Sequence, residues 1–152
     1  MANNDSSVVI GSDHGALELK AQIKTYLEKK GYTVNDVGTH STDSVDYPDF
    51  SKAVCETYLG GGYAFGIVLC GTGIGASIAA NKVKGIRCAL VHDRYTAEMS
   101  KAHNNANIIA LGGRIEYSDP VESILDAYID TEFEGGRHSR RIGKISALDE
   151  AD

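Results

Sequence analysis

From Ala64 to Leu69 the chain reads Ala-Phe-Gly-Ile-Val-Leu with no polar side chain, and Cys70 and the glycine-rich stretch Gly71-Thr72-Gly73-Ile74-Gly75 follow at once. A strand with one wet face alternates apolar and polar residues. A run that is apolar at every position predicts a strand buried on both faces. Such a strand needs helices above and below it, so the rest of the chain has to supply them.

The flanking segments do so. Val8-Val9-Ile10 predicts a first strand, and apolar residues at Ala16, Leu19, Ile23, Tyr26 and Leu27 follow a helical period that Gly31 closes. Thr33-Val34 starts a weaker strand, and residues 38–45 read as loop. Asp49 is placed to cap a helix bearing Phe50, Ala53, Val54 and Tyr58 that stops at Gly60-Gly61-Gly62. After the glycine loop, residues 76–82 read as a helix of small residues and 87–91 as a fourth strand. Asp93 caps a helix through Met99 and Ala102, and residues 108–111 form a fifth strand. Ser118 or Asp119 caps a helix with Pro120 in its first turn, and a last helix follows Gly135-Gly136.

This order predicts an α/β fold, a single-domain three-layer αβα sandwich over residues 1–152. Its centre is a Rossmann-like five-stranded parallel sheet, with a C-terminal helix added. Residues 1–6 are expected to be flexible and 147–152 to form a tail. In such folds ligands sit at the carboxyl ends of the strands, so the residues just after each strand carry the functional reading.

Composition narrows the classes. The net charge of -6 argues against nucleic acid and anionic membrane as partners. No apolar run approaches the roughly 18–20 residues of a membrane span. The polar opening lacks the order of a secretory signal. Three widely spaced cysteines, Cys55, Cys70 and Cys88, suit a reducing compartment, so a cytoplasmic location is expected. No His-x-x-x-His or Cys-x-x-Cys spacing occurs, and no metal is expected.

The strand-end positions are rich in chemistry: Ser12-Asp13-His14-Gly15, Asp46-Tyr47, Cys70 with its loop, His92-Asp93, and Gly112-Gly113-Arg114, with His103-Asn104 closing a helix. Cys70 ends an apolar strand beside the glycine loop, where backbone N–H groups favour a thiolate; it equally fits a small core residue. Cys55 and Cys88 are read as core, and His92 as structural. The loop N–H groups can hold an anion or a developing oxyanion. Gly71-x-Gly73-x-x-Ala76 also matches a dinucleotide fingerprint with Asp93 as the ribose acid, although it follows the third strand rather than the first. Residues 137–144 hold four fixed positive charges and no acid. In a helix Arg137 and Arg141 share one face, suited to a phosphate, and Arg114 can join them. Read together, these groups are expected along a single sheet edge, and they suit proton transfer on a small phosphorylated carbonyl compound.

Gly11-Ser12-Asp13-His14-Gly15, Asp46-Tyr47-Pro48-Asp49, Cys70 through Gly75, Ala102-His103-Asn104, Leu111-Gly112-Gly113-Arg114 and Arg137-His138-x-x-Arg141 together resemble the type B ribose-5-phosphate isomerases. That group also holds isomerases of galactose 6-phosphate and allose 6-phosphate. The resemblance implies interconversion of ribose 5-phosphate and ribulose 5-phosphate in the pentose phosphate pathway, without cofactor. It implies Cys70 as the base and His103 as the ring-opening acid. Thr72 and the backbone of Gly71, Gly73, Ile74 and Gly75 would face the reacting atoms. Asp13, Asp46, Tyr47 and Asn104 would hold hydroxyls or relay protons, and Arg137, Arg141, Arg114 and His14 would hold the phosphate. Some members carry a glutamate base on the helix after the loop; no acid lies between Gly71 and Lys82 here. The resemblance further implies a homodimer, or a pair of dimers, sharing the site between subunits. A hexose 6-phosphate isomerase and a nucleotide-binding regulatory module are the competing readings.

Overall fold

A computed structural model describes residues 6–150. Its strands are β1 (Ser7–Ser12), β2 (Thr33–Asp36), β3 (Phe65–Cys70), β4 (Cys88–Leu90) and β5 (Ile108–Gly112). They lie in the order β2-β1-β3-β5-β4, and every pairing is parallel. The helices are α1 (Leu17–Lys29), α2 (Tyr47–Leu59), α3 (Ile74–Ala80), α4 (Arg94–Ala102), α5 (Val121–Ile129) and α6 (Arg137–Leu148).

Strand periodicity sorts the apolar side chains into two cores. Val8, Ile10, Ile67, Leu69, Ile109 and Leu111 pack on one face against Leu19, Ile23 and Leu27 of α1, Ala97 of α4 and Ile124, Leu125 and Tyr128 of α5. Val9, Val68, Ile108 and Ala110 pack on the other against Val54 and Cys55 of α2 and Ala76 and Ala80 of α3. Both faces of β3 are thus covered, as its uninterrupted apolar run requires. The predicted three-layer arrangement is the one observed.

Several boundaries differ from the sequence expectation. α2 starts at Tyr47, so Asp46 rather than Asp49 takes the N-cap position. Pro48 then falls in the first turn, where its missing N–H costs nothing. Neither Ser118 nor Asp119 caps α5; Pro120 takes that position. The Asp119 carboxylate instead accepts the Arg94 N–H at 2.9 Å, at the start of α4. Asp93 does cap α4, accepting from Thr96 N–H at 2.7 Å while its own N–H donates to Thr96 Oγ1. α6 continues through Leu148, past the start expected for the tail. Of the expected flexible segment and tail, residues 1–5 and 151–152 lie outside the described residues.

Connections leave β1 and β3 toward opposite sides of the sheet, so a crevice opens between their carboxyl ends, at Ser12 and Cys70. The helices carry the chain back again. α4 runs from the carboxyl end of β4 to the amino end of β5, and α5 returns from the carboxyl end of β5 in the same sense. Residues placed directly after α4 or α5 therefore lie at the amino edge.

Candidate active site

At the carboxyl edge, β3 ends on Cys70, which is 5% exposed. Its Sγ accepts the Gly73 N–H at 3.2 Å. Gly73 sits at φ +80°, and a Cβ there would lie 2.8 Å from the Leu111 carbonyl carbon, so only glycine lets the loop pass. The loop is held from the β5 side as well: Gly113 N–H donates to the Cys70 carbonyl at 2.9 Å and Arg114 N–H to the Gly71 carbonyl at 2.8 Å. Thr72 Oγ1 accepts the Ile74 N–H.

The thiols differ in their surroundings. Burial pushes Cys55 up to about 12 and also pushes Cys88 up, so both stay protonated. Cys55 directs its Sγ at the Ala80 carbonyl. Cys70 instead accepts the Gly73 N–H with its Sγ.

The other carboxyl-edge groups converge on this loop. Asp13 Oδ1 accepts the Gly15 N–H at 2.8 Å, and Gly15 is seated against the backbone of Gly71. The Arg114 guanidinium lies over Gly71 and the Tyr47 ring over Gly75. His14 Nδ1 accepts the Val45 N–H at 3.2 Å, which in the neutral ring leaves Nε2 as the donor. Asp13, His14, Asp46, Tyr47 and Arg114 line an open cleft of about 550 Å³. Tyr117 was not anticipated from the sequence. Its hydroxyl accepts the Gly112 N–H at 2.7 Å, and burial raises its pKa, keeping the phenol protonated beside the Cys70 loop.

His103, Asn104, Arg137 and Arg141 do not join them. Arg87, just before β4, donates through Nε to the carbonyls of Asn104 and Asn105, which fixes that turn at the amino end of β4. Glu134 N–H donates to the Ala102 carbonyl, tying the start of the α6 region to the same edge. There the His103 and His138 rings stack with centroids 4.2 Å apart, and both approach Glu134. The sheet between Gly112, level with Cys70, and Ile108 spans about 13 Å along the strand. The expectation of one shared edge is thus corrected. The helices are the reason, because a parallel sheet returns each helix to the amino end. The candidate residues of one chain thus fall in two groups at opposite edges of the sheet.

The relationship to known proteins agrees with this geometry. Residues 8–145 match the family model described as Ribose/Galactose Isomerase. The chain belongs to that family. A ribose-5-phosphate isomerase B structure from Clostridium thermocellum is 51% identical, with a TM-score of 0.91 over 95% of this chain and 97% of the other. Escherichia coli ribose-5-phosphate isomerase B is 38% identical over 94% of this chain and 96% of its own. The Clostridium acetobutylicum galactose-6-phosphate isomerase subunit LacB is 43% identical over 94% of this chain and 82% of its own.

The protein is thus a sugar phosphate isomerase. Among the described residues, none of its helices is long and apolar enough to cross a membrane. The 71–76 loop shares its glycine spacing with a dinucleotide fingerprint, but its glycines are engaged within the chain. Arg114 and Tyr47 cover Gly71 and Gly75, and Gly73 donates its N–H to the thiol.

Proposed function

We propose that this isomerase interconverts D-ribose 5-phosphate and D-ribulose 5-phosphate without a cofactor, at sites each assembled from two copies of the chain. The observation that carries the proposal is the separation of the half-sites: the thiol and its loop at the carboxyl edge, His103 and the arginines at the amino edge. A second copy turned to bring its amino edge against the first copy's Cys70 supplies both halves, and two-fold symmetry then makes two such sites.

Each group then has a task. Arg137 and Arg141, one turn apart on α6, hold the phosphate, with Arg114 and His14 on the opposite wall. His103 gives a proton to the ring oxygen as the furanose opens, Asp13 takes the proton that the C1 hydroxyl releases, and Asn104 orients a hydroxyl. The Cys70 thiolate removes the C2 proton of the open aldose. Charge moves onto the carbonyl oxygen, giving a cis-enediolate that the N–H groups of the 71–75 loop and the Thr72 hydroxyl stabilise. Asp13, Asp46 and Tyr47 hold hydroxyls and relay protons between O1 and O2. The thiol returns its proton to C1, leaving the ketose and a thiolate. The reaction belongs to the pentose phosphate pathway of the cytoplasm.

Turnover of ribose 5-phosphate by purified protein in the presence of a chelator tests this. Cys70→Ala should lose about three orders of magnitude or more in kcat, in the range of general base catalysis, while substrate still binds. Arg137→Ala should mainly raise KM. Near-wild-type turnover by Cys70→Ala would remove the assigned base. The galactose-6-phosphate relative supports a second reading, a hexose 6-phosphate isomerase. Comparison of kcat/KM for ribose, allose and galactose phosphates separates the two.

A further inference from the structure

His103, Glu134 and His138 form a cluster whose ligand atoms all lie within 4.8 Å of one another. His138 Nε2 is 3.4 Å from Glu134 Oε1, and His103 Nε2 is 3.8 Å from the same oxygen. Glu134 and His138 flank the Gly135-Gly136 turn, and His103 arrives from the end of α4.

A second observation points to a ligand. His138 is 6% exposed, and its Nε2 is a buried polar atom without a hydrogen bond. Buried ring nitrogens are ordinarily satisfied, so one left open beside a carboxylate asks for an occupant. Imidazole nitrogens are the commonest ligands of transition metals.

The geometry points to a binding site for a divalent transition metal of the zinc class, with His103, Glu134 and His138 as ligands and a further coordination position open. Bonds of 2.0–2.1 Å in a tetrahedral site set ligand atoms about 3.3 Å apart. The Glu134–His138 separation is already close to that, while His103 has to move in by about half an ångström toward Glu134 and by up to about 1.5 Å toward His138. The metal must also lie in the plane of each ring, so His103 tilts out of its stack. It is free to do so, being partly exposed at a helix end. Two imidazoles and one carboxylate select zinc, cobalt or nickel over magnesium or calcium, which prefer all-oxygen sites. Arg137 and Arg141 oppose the added charge, and the Glu134 carboxylate offsets part of it.

An occupied site withdraws the His103 nitrogen from ring opening, so the metal inhibits. That consequence rests on the isomerase mechanism proposed above; the binding itself does not. The probe is cobalt(II), titrated into chelator-treated protein and read by its visible absorption. The expected result is one saturable cobalt per chain. Glu134→Gln and His138→Asn should each weaken binding by about tenfold or more, at least the loss that removal of a partner behind the ligands already causes. Glu134 is exposed and Gln has the same shape, so that variant reports on the site even if His138→Asn folds poorly. Cys70→Ser should bind cobalt as wild type does. Absence of a saturable band, undiminished binding by Glu134→Gln, or a signal that depends on Cys70 would overturn the site. In a parallel turnover assay zinc should inhibit wild type and inhibit Glu134→Gln less. Should the chain fail to turn over sugar phosphates, the cobalt spectrum still decides the metal site.

Discussion

Gly112→Ala places a single methyl group where the structure has no room for one. Gly112 ends β5 opposite Cys70, and a Cβ there would stand 2.5 Å from the Thr72 carbonyl carbon and 2.6 Å from its Cα. Carbon atoms pack at about 3.5–4.0 Å, so one backbone must yield by about 1 Å. β5 is buried and paired on both sides. The 71–73 loop is the softer partner, and it carries the Cys70 environment and the N–H groups proposed to stabilise the enediolate. A displacement of about 1 Å at a reacting centre costs about a hundredfold in rate. Overpacking also costs about 1–3 kcal/mol of stability. Gly66→Ala is the matched control. Its Cβ would meet the Ile108 Cδ1 at 2.6 Å, an equally close contact, but with the end of a side chain near the amino end of β3. Steady-state kinetics with ribose 5-phosphate and thermal denaturation of both variants make the comparison. Gly112→Ala should lose about a hundredfold in kcat while remaining folded. Gly66→Ala should lose stability and keep kcat within about twofold. Equal kcat in the two variants would refute the argument that the loop position governs turnover.

Two further predictions concern stability. Tyr128, 2% exposed, donates its hydroxyl to the Ala106 carbonyl at 2.6 Å, so Tyr128→Phe leaves a buried acceptor unpaired. It should cost about 1–3 kcal/mol and lower Tm by about 2–4 °C per kcal/mol; an unchanged Tm would contradict this. Burial raises the Asp36 pKa, but the Gly38 N–H and the Lys20 and Lys24 ammoniums more than offset it, so Asp36 lies below the usual carboxylate range. A lowered pKa adds stability that is present above the unfolded value of about 3.9 and lost as pH falls through the folded one. Wild type should therefore lose Tm steeply below about pH 4. Asp36→Asn should be less stable at neutral pH, since it strands the buried Lys20, and should lose less on acidification; parallel pH profiles would contradict the assignment.

The sheet was legible because its strands are plain in the chain. The unbroken apolar run of β3 fixes burial on both faces, and the helical periods between strands supply the covering layers. Caps were less legible. Asp46, Asp49, Ser118 and Asp119 are all good cap residues. The choice among them turns on tertiary contacts such as Asp119 reaching the Arg94 N–H, and no local pattern encodes that. The carboxyl-edge group of candidate residues could be read mostly from the residues that follow β1, β3 and β5. The amino-edge group was misplaced, because His103-Asn104 and Arg137 come after helices, and only topology shows which edge a helix returns to. Tyr117 had no motif of its own. In the His103–Glu134–His138 cluster, Glu134 and His138 are i and i+4, but His103 joins them only through packing.

The central claim is that Cys70 of one copy works with His103 of another. Mixing the inactive variants Cys70→Ala and His103→Ala, coexpressed so that subunits associate at random, tests it directly. Half of the dimers are then mixed, and each mixed dimer has one site with both groups intact and one with neither. The account predicts recovery of about a quarter of wild-type turnover from two preparations that separately show almost none. If the mixture stays as inactive as its components while mixed dimers are shown to form, each site lies within one chain and the account is wrong.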